Sequence, residues 1–322
     1  MRDSMALSAI APASGAELWR SPLPLKGPGL SLHVCSERAY VCGQGAVVEV
    51  ALASGAVSDV VPIEDTAELV QFFADRFVFL RLAADRSFEL AGLDFEGVAR
   101  WVSPLERHVA FACGDANTYF AALYEGPLRA VDVADGRVRW ERDASALGEV
   151  TDYAMPRDRR TERSQWSVTP IVFEDLLVVG ASGGWMLGLD CVTGETRWQT
   201  SIDVLRPSWT TLDNAGTILV PGQDQIVEIE ADTGTVRHVH AWRTGQRDAP
   251  PDPPRTIAAD PSYLWLAVRD RIAAINRSNG QVIAWSEPSG GQLMWLAALG
   301  DRILGQDVEG RLRTWRVDGI AA

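Results

Sequence analysis

Four stretches of the chain repeat one device: an apolar residue, a carboxylate or amide, three more residues and a glycine, with a ring close behind. They are Val131-Asp132-Val133-Ala134-Asp135-Gly136 before Trp140, Leu189-Asp190-Cys191-Val192-Thr193-Gly194 before Trp198, Ile229-Glu230-Ala231-Asp232-Thr233-Gly234 before His238, and Ile275-Asn276-Arg277-Ser278-Asn279-Gly280 before Trp285. Weaker copies run from Val50 to Gly55 and from Leu93 to Gly97, the latter before Trp101. The glycines at 55, 97, 136, 194, 234 and 280 are spaced by 42, 39, 58, 40 and 46 residues. A period near forty means small units that cannot bury their own faces and must stack.

Each unit reads as a sheet. The fourth holds Ser167–Phe173, Asp175–Gly180, Gly184–Asp190 and Glu195–Thr200, four short runs rich in β-branched and aromatic residues and bounded by Gly, Asp or Ser. Four runs per forty residues predict a four-stranded antiparallel meander, and radial repetition of such meanders is the propeller solution to exposed sheet edges. The turn has its own logic: an Asp side chain accepts backbone N–H groups, and Gly supplies the positive φ of a tight turn. The tryptophan four residues on falls on the outermost strand, where its ring can fill the wedge between neighbouring sheets.

The ends complete each other. Ser14-Gly15-Ala16-Glu17-Leu18-Trp19 is the second half of the device, and Trp315-Arg316-Val317-Asp318-Gly319 is the first half. The expectation is an all-β, seven-bladed β-propeller filling residues 1–322 as one domain. Residues 16–22 are expected to be its closing strand, the fourth of the C-terminal blade, and residues 1–13 a flexible lead. At these motifs, over roughly residues 14–319, the chain resembles the pyrroloquinoline-quinone-type (quinoprotein-like) β-propeller repeat family. That family includes quinoprotein dehydrogenases and a scaffold lipoprotein of outer-membrane protein assembly. The resemblance implies the fold, and a scaffold hosting many functions implies no single activity. The familiar members mostly have eight blades, where the glycine spacing here counts seven.

Composition bounds the partners. The formal net charge of −13 argues against nucleic acid and anionic membranes as main partners. No apolar run of 18 residues is present, so no transmembrane helix and no membrane insertion is expected. The N-terminal stretch has a weak apolar centre and Asp3 in its flank, which reads as a cytoplasmic start. Cys35, Cys42, Cys113 and Cys191 fall mostly within strand runs and read as buried thiols. A turn at Glu37-Arg38 would set Val34 against Val41 and keep the sulfurs of Cys35 and Cys42 apart.

The familiar chemistries find little footing. A quinoprotein dehydrogenase implies polar ligands for a calcium–quinone pair and often a vicinal disulfide; no two cysteines are adjacent, and no ligand set can be assigned. No cofactor, metal or catalytic residue is therefore expected. His238 and His240 share one strand face, which permits metal binding but needs further ligands; His238 stands at the repeat's tryptophan position, so packing in the wedge is its simpler role.

Two departures from the period are more telling. Residues 141–166 insert a loop of Tyr153, Arg157, Arg159, Arg160, Arg163 and Trp166 between the third and fourth units, and residues 245–255 carry Arg247, four prolines and Arg255. Both join an outer strand to the next inner strand, so a meander puts them on one rim. Long insertions of this kind are functional or disordered. Arginine with aromatic residues, Trp209 included, suits a partner with an acidic surface. The leading expectation is a non-enzymatic protein-interaction scaffold, a subunit of a bacterial multi-protein complex. The alternative is an enzyme or small-molecule binder using a channel mouth of Arg107, His108, Ser167 and Gln292 on the long-loop face.

Overall fold

The computed structural model describes residues 6–11, 16–35, 37–63, 68–147, 149–151, 161–163, 166–202, 210–213, 215–222, 225–242, 254, 256–308 and 311–317. The chain divides into two compact units, Met1–Arg142 and Asp143–Ala322.

In the first unit, β1 (Ala6–Ile10) and β2 (Glu17–Pro22) form a two-stranded sheet. Three four-stranded meanders follow. The first is β3 (Lys26–Cys35), β4 (Arg38–Gln44), β5 (Ala46–Ala51) and β6 (Val57–Pro62). The second is β7 (Glu68–Phe72), β8 (Arg76–Leu82), β9 (Phe88–Asp94) and β10 (Ala99–Leu105), and the third is β11 (Val109–Gly114), β12 (Thr118–Leu123), β13 (Leu128–Asp132) and β14 (Val138–Arg142).

The second unit opens with a 3-10 turn, Ala144–Leu147, and a small hairpin of β15 (Glu149–Thr151) and β16 (Thr161–Arg163). The meander β17 (Trp166–Phe173), β18 (Leu176–Ala181), β19 (Trp185–Asp190) and β20 (Thr196–Ser201) matches the sequence reading of this unit within a residue or two at each end. Two more meanders follow: β21 (Thr211–Leu212), β22 (Thr217–Pro221), β23 (Gln225–Glu230) and β24 (Val236–Ala241), then β25 (Thr256–Ala259), β26 (Tyr263–Val268), β27 (Arg271–Asn276) and β28 (Val282–Trp285). The last sheet has three strands, β29 (Leu293–Leu299), β30 (Arg302–Asp307) and β31 (Leu312–Arg316).

Within each unit the core lies between successive sheets. Val78, Leu90, Tyr119, Ala121 and Val131 join the second and third meanders of the first unit, and Val178, Met186, Ile218, Val227 and Ile229 join the first two of the second. Middle strands are covered on both faces and read as unbroken apolar runs, as in fully buried β12 and β18. The outermost strands are half wet; β14 exposes four of its five residues.

The N-terminus departs from expectation. Residues 6–10 form β1 rather than a flexible lead, and β2 pairs with β1. Ala11 N–H donates to Ala16 O at 2.9 Å, the bond that Asp190 makes to Glu195 and Glu230 to Thr235 in the full repeats. The partner of Trp19 across the pair is Ala9, as that of Trp198 is Gly188. The segment is thus the third and fourth strands of a repeat, a half unit instead of one closing strand. The short apolar run of Ala6–Ile10 lies ahead of the only recognisable half of its turn, which hid it. The β3–β4 register also differs from expectation by two residues: Val34 stands opposite Ala39 rather than Val41, with Cys35 opposite Arg38 and Cys42 opposite Ser31, so the two cysteines are not cross-strand partners.

Candidate functional site

The repeat device builds a seam between neighbouring sheets. Trp198 sits on outer strand β20 and is buried; its indole N–H donates to Ala231 O of the next sheet's turn at 2.9 Å. The ring lies against Gly234, where an added Cβ would meet it at 2.4 Å and where φ is +69°, so a side chain is excluded twice over. Gly188, opposite Trp198 on β19, gives way to the same ring. The seam recurs in the first unit: Trp19 donates to Leu52 O at 2.7 Å and covers Gly55, and Trp101 donates to Val133 O at 2.7 Å and covers Gly136. A second tie accompanies it, Thr200 Oγ1 donating to Gly234 O at 2.5 Å and Ser21 Oγ to Gly55 O. The turn carboxylate also pairs with an arginine seven residues on, Asp132 with Arg139 and Asp190 with Arg197 at 2.7 and 2.5 Å. The arginine was legible in the sequence once its place was known.

One seam is built from charge. Between the β21–β24 and β25–β28 sheets, His238 takes the tryptophan position, Glu228 the position of Gly188, Arg277 that of Ala231 and His240 that of Thr200. His238 is exposed, so it does not fill the wedge; it stacks on buried His240 with ring centroids 5.6 Å apart. His240 Nε2 lies 2.9 Å from Glu228 Oε1. Arg277 closes the cluster: Nε donates to both Glu228 oxygens at 3.0 Å, Nη2 to Glu228 Oε2 at 2.9 Å and to Asp213 Oδ2 at 2.7 Å, and Nη1 to Asp260 O at 3.3 Å. Glu228 is 1% exposed. Burial pushes its carboxyl up, but the hydrogen bonds from His240 and Arg277 and their charges outweigh it and hold Glu228 below the usual carboxylate range. With the carboxylate saturated by Arg277, the strand histidines lack the open ligand set that a metal needs; no group of three His, Cys, Asp or Glu suited to a metal occurs among the described residues.

The insertion expected as a loop has a structured stem. Glu149 stands opposite Arg163, Val150 opposite Glu162 and Thr151 opposite Thr161. Legs of three residues are too short to show a period of two in the sequence. Tyr153, Arg157, Arg159 and Arg160 lie between the legs, outside the described residues, as do Trp209, Arg247 and Arg255. Trp166, expected among the exposed anchors, is 8% exposed and heads β17 opposite Ala181. Its indole N–H is buried and has no acceptor among the described residues.

The channel-mouth residues divide between the units. In the first, Arg107 donates to the carbonyls of Glu125 and Tyr124, and His108 lies 3.3 Å from Glu68 and edge-on to Phe88 at 5.0 Å, so both side chains are already engaged. In the second, Ser167 lies on β17, and Gln292 precedes β29 with its carbonyl accepting from Val308 N–H at 2.8 Å. Sequence reasoning missed a cleft of about 550 Å³ in the first unit, lined by Asp75, Arg76, Asp94, Phe95, Glu96, Arg100 and Ala134. Arg76 binds Asp75 at 2.7 Å and the carbonyls of Val133 and Ala134, and Arg100 lies 2.5 Å from Asp94. Its arginines are engaged by its own carboxylates.

Comparisons place this architecture among known proteins. The family model described as outer membrane protein assembly factor BamB matches residues 3–203 and 124–316. No curated protein matches the chain in sequence. Among solved structures, BamB from Moraxella catarrhalis is 17% identical, with 98% of this chain and 94% of that one covered at a TM-score of 0.65. The β-propeller domain of Cps50 (Swd1) from Myceliophteria thermophila is 14% identical over 91% and 98% of the two chains, TM-score 0.61. Sqt1 from Saccharomyces cerevisiae is 11% identical over 94% and 87%, TM-score 0.64. At such identities the structures speak for the fold alone. The family match spans nearly the whole chain and agrees with the repeating turns, tryptophans and meanders, and on that ground the chain belongs to the PQQ-like β-propeller repeat family whose model carries the BamB description.

Proposed function

We propose that this protein is a non-enzymatic interaction scaffold, a subunit of a multi-protein bacterial complex, which holds a protein partner with an acidic surface. The observation that carries the reading is the β15–β16 hairpin. Among the described residues it is the one sheet that is neither a meander of the repeat nor one of the partial sheets at the chain ends, and the segment between its legs contains Arg157, Arg159 and Arg160 on a chain of net charge −13. Positive charge on such a segment would steer an acidic partner and set its orientation. Membership of a family described by an assembly factor supports the same class. Tyr153, Trp209, Arg247 and Arg255 extend the proposed surface along connections of the same kind. The test is co-purification from the native host, followed by affinity measurement with the four arginines 157, 159, 160 and 163 replaced by serine. The variant should keep the melting temperature and bind its partner more than tenfold more weakly. Unchanged binding, or hydrogen-exchange protection confined to other segments, would refute the surface.

We propose further that the units form a ring closed at the chain ends. Two facts support closure: Trp19 forms an outer-strand seam onto the first meander, and among the described residues the sheets at both chain ends are partial, two strands at one and three at the other. Removing residues 1–24 would then expose a sheet edge. The truncated protein should melt well below the full chain, and an unchanged melting temperature would leave the ring open.

A further inference from the structure

We propose that the ionic seam between the β21–β24 and β25–β28 sheets is an acid-sensitive joint of the second unit, opening while its tryptophan seam holds.

The argument begins from what the cluster replaces. At the Trp198 seam, contact is made by a ring on glycine, an indole N–H on a carbonyl and a threonine hydroxyl on a carbonyl. None of these groups titrates in the ordinary range. At the other seam the places of Trp198, Gly188, Ala231 and Thr200 are taken by charged or ionisable side chains, and the place of Gly234 is kept by Gly280. Glu228 comes from β23, His240 and His238 from β24, Arg277 from the turn after β27, and Asp213 from the turn after β21. Asp260 adds a backbone carbonyl, its own carboxylate being occupied by the Trp265 indole N–H at 2.8 Å. Nearby Arg237 and Glu230 pair with each other on β24 and β23. Gly280 closes the back of the pocket: a Cβ there would meet His240 Nδ1 at 2.9 Å.

Glu228 is the keystone by geometry, since it receives both His240 and Arg277. Protonating it removes the charge that both donors answer, and leaves the Arg277 guanidinium with Asp213 as its remaining carboxylate. Its carboxyl is held below its ordinary value in the folded protein. The stabilisation is therefore fully present above the unfolded carboxyl value, about 4.3, and is lost as pH falls through the lower folded value. Both ion pairs that Glu228 makes across the cluster are then lost and the buried groups stay only partly compensated, so the sheets should part at this joint.

Hydrogen exchange of the full chain, corrected for intrinsic rate, tests this between pH 7 and pH 3.5. Protection of residues 236–241 and 272–276 should fall at least tenfold more than that of residues 185–190 and 196–201. Equal loss in both regions would overturn the proposal. Glu228→Gln keeps the shape without the charge and should show the acid pattern already at pH 7; full protection there would equally overturn it. The combination Glu228→Gly, His238→Trp, His240→Thr and Arg277→Ala rebuilds the tryptophan seam. It should abolish the differential pH response, and persistence of that response would place the acid-sensitive group elsewhere.

Discussion

The two seams of the β21–β24 sheet make a natural experiment. One side meets the β17–β20 sheet through Trp198 and Gly234; the other meets the β25–β28 sheet through Glu228, His240, Arg277 and Asp213. The topology is the same on both sides, and Trp198 and His238 hold the same register position. A ring on glycine gains by leaving water and by dispersion, and it tolerates small shifts. A buried ionic cluster first loses hydration and recovers it only while each partner stays in place. The repeat therefore specifies a geometry for the joint, and two unrelated kinds of attraction satisfy it.

The sharpest way to break the comparison is to take one partner from the charged side. Arg277→Ala strands Glu228 and Asp213 and should destabilise the protein by about 3–5 kcal/mol, read as a lower urea midpoint. The four-residue replacement that rebuilds the tryptophan seam should cost less than this single change, because Glu228 is gone and Asp213 is the one carboxylate of the cluster that loses its partner. If Arg277→Ala is tolerated as well as an exposed substitution, the cluster contributes nothing to the joint.

A smaller effect sharpens the apolar side. Gly234 and Gly300 both have positive φ, +69° and +61°, but Gly300 has nothing within 4 Å of an added Cβ, while Gly234 faces the Trp198 ring at 2.4 Å. Gly300→Ala should cost roughly 1 kcal/mol through backbone strain. Gly234→Ala should add a further roughly 1–3 kcal/mol for displacing the ring. Equal melting temperatures for the two variants would mean that the ring moves aside freely and that the seam is loose.

These contrasts also mark where the sequence could be read. Turn and ring lie within ten residues of each other, so Leu189 to Trp198 announces both the meander and the wedge. The N-terminal half unit was half legible: Gly15 and Trp19 showed its outer strand, while Ala6–Ile10 carries too plain a pattern to announce a third strand. His238 was visible as a departure from tryptophan, but its absence from the core was not. What fills the wedge comes from Glu228 and Arg277, 49 residues apart, and from Asp213, 64 from Arg277. Trp166 reads as an interface aromatic beside four arginines, and its burial at the head of β17 is a property of the packing alone.

The amino-acid sequence by itself determined the units: an Asx-type turn, a glycine with positive φ and short apolar runs are local choices, settled by a residue and its near neighbours. Only the tertiary structure decided how each joint between units is held, because a charge or a ring acquires its energy from what surrounds it once water is gone. A glutamate in place of a glycine on a middle strand is a defect until Arg277 and His240 stand against it, and folding is what brings them there.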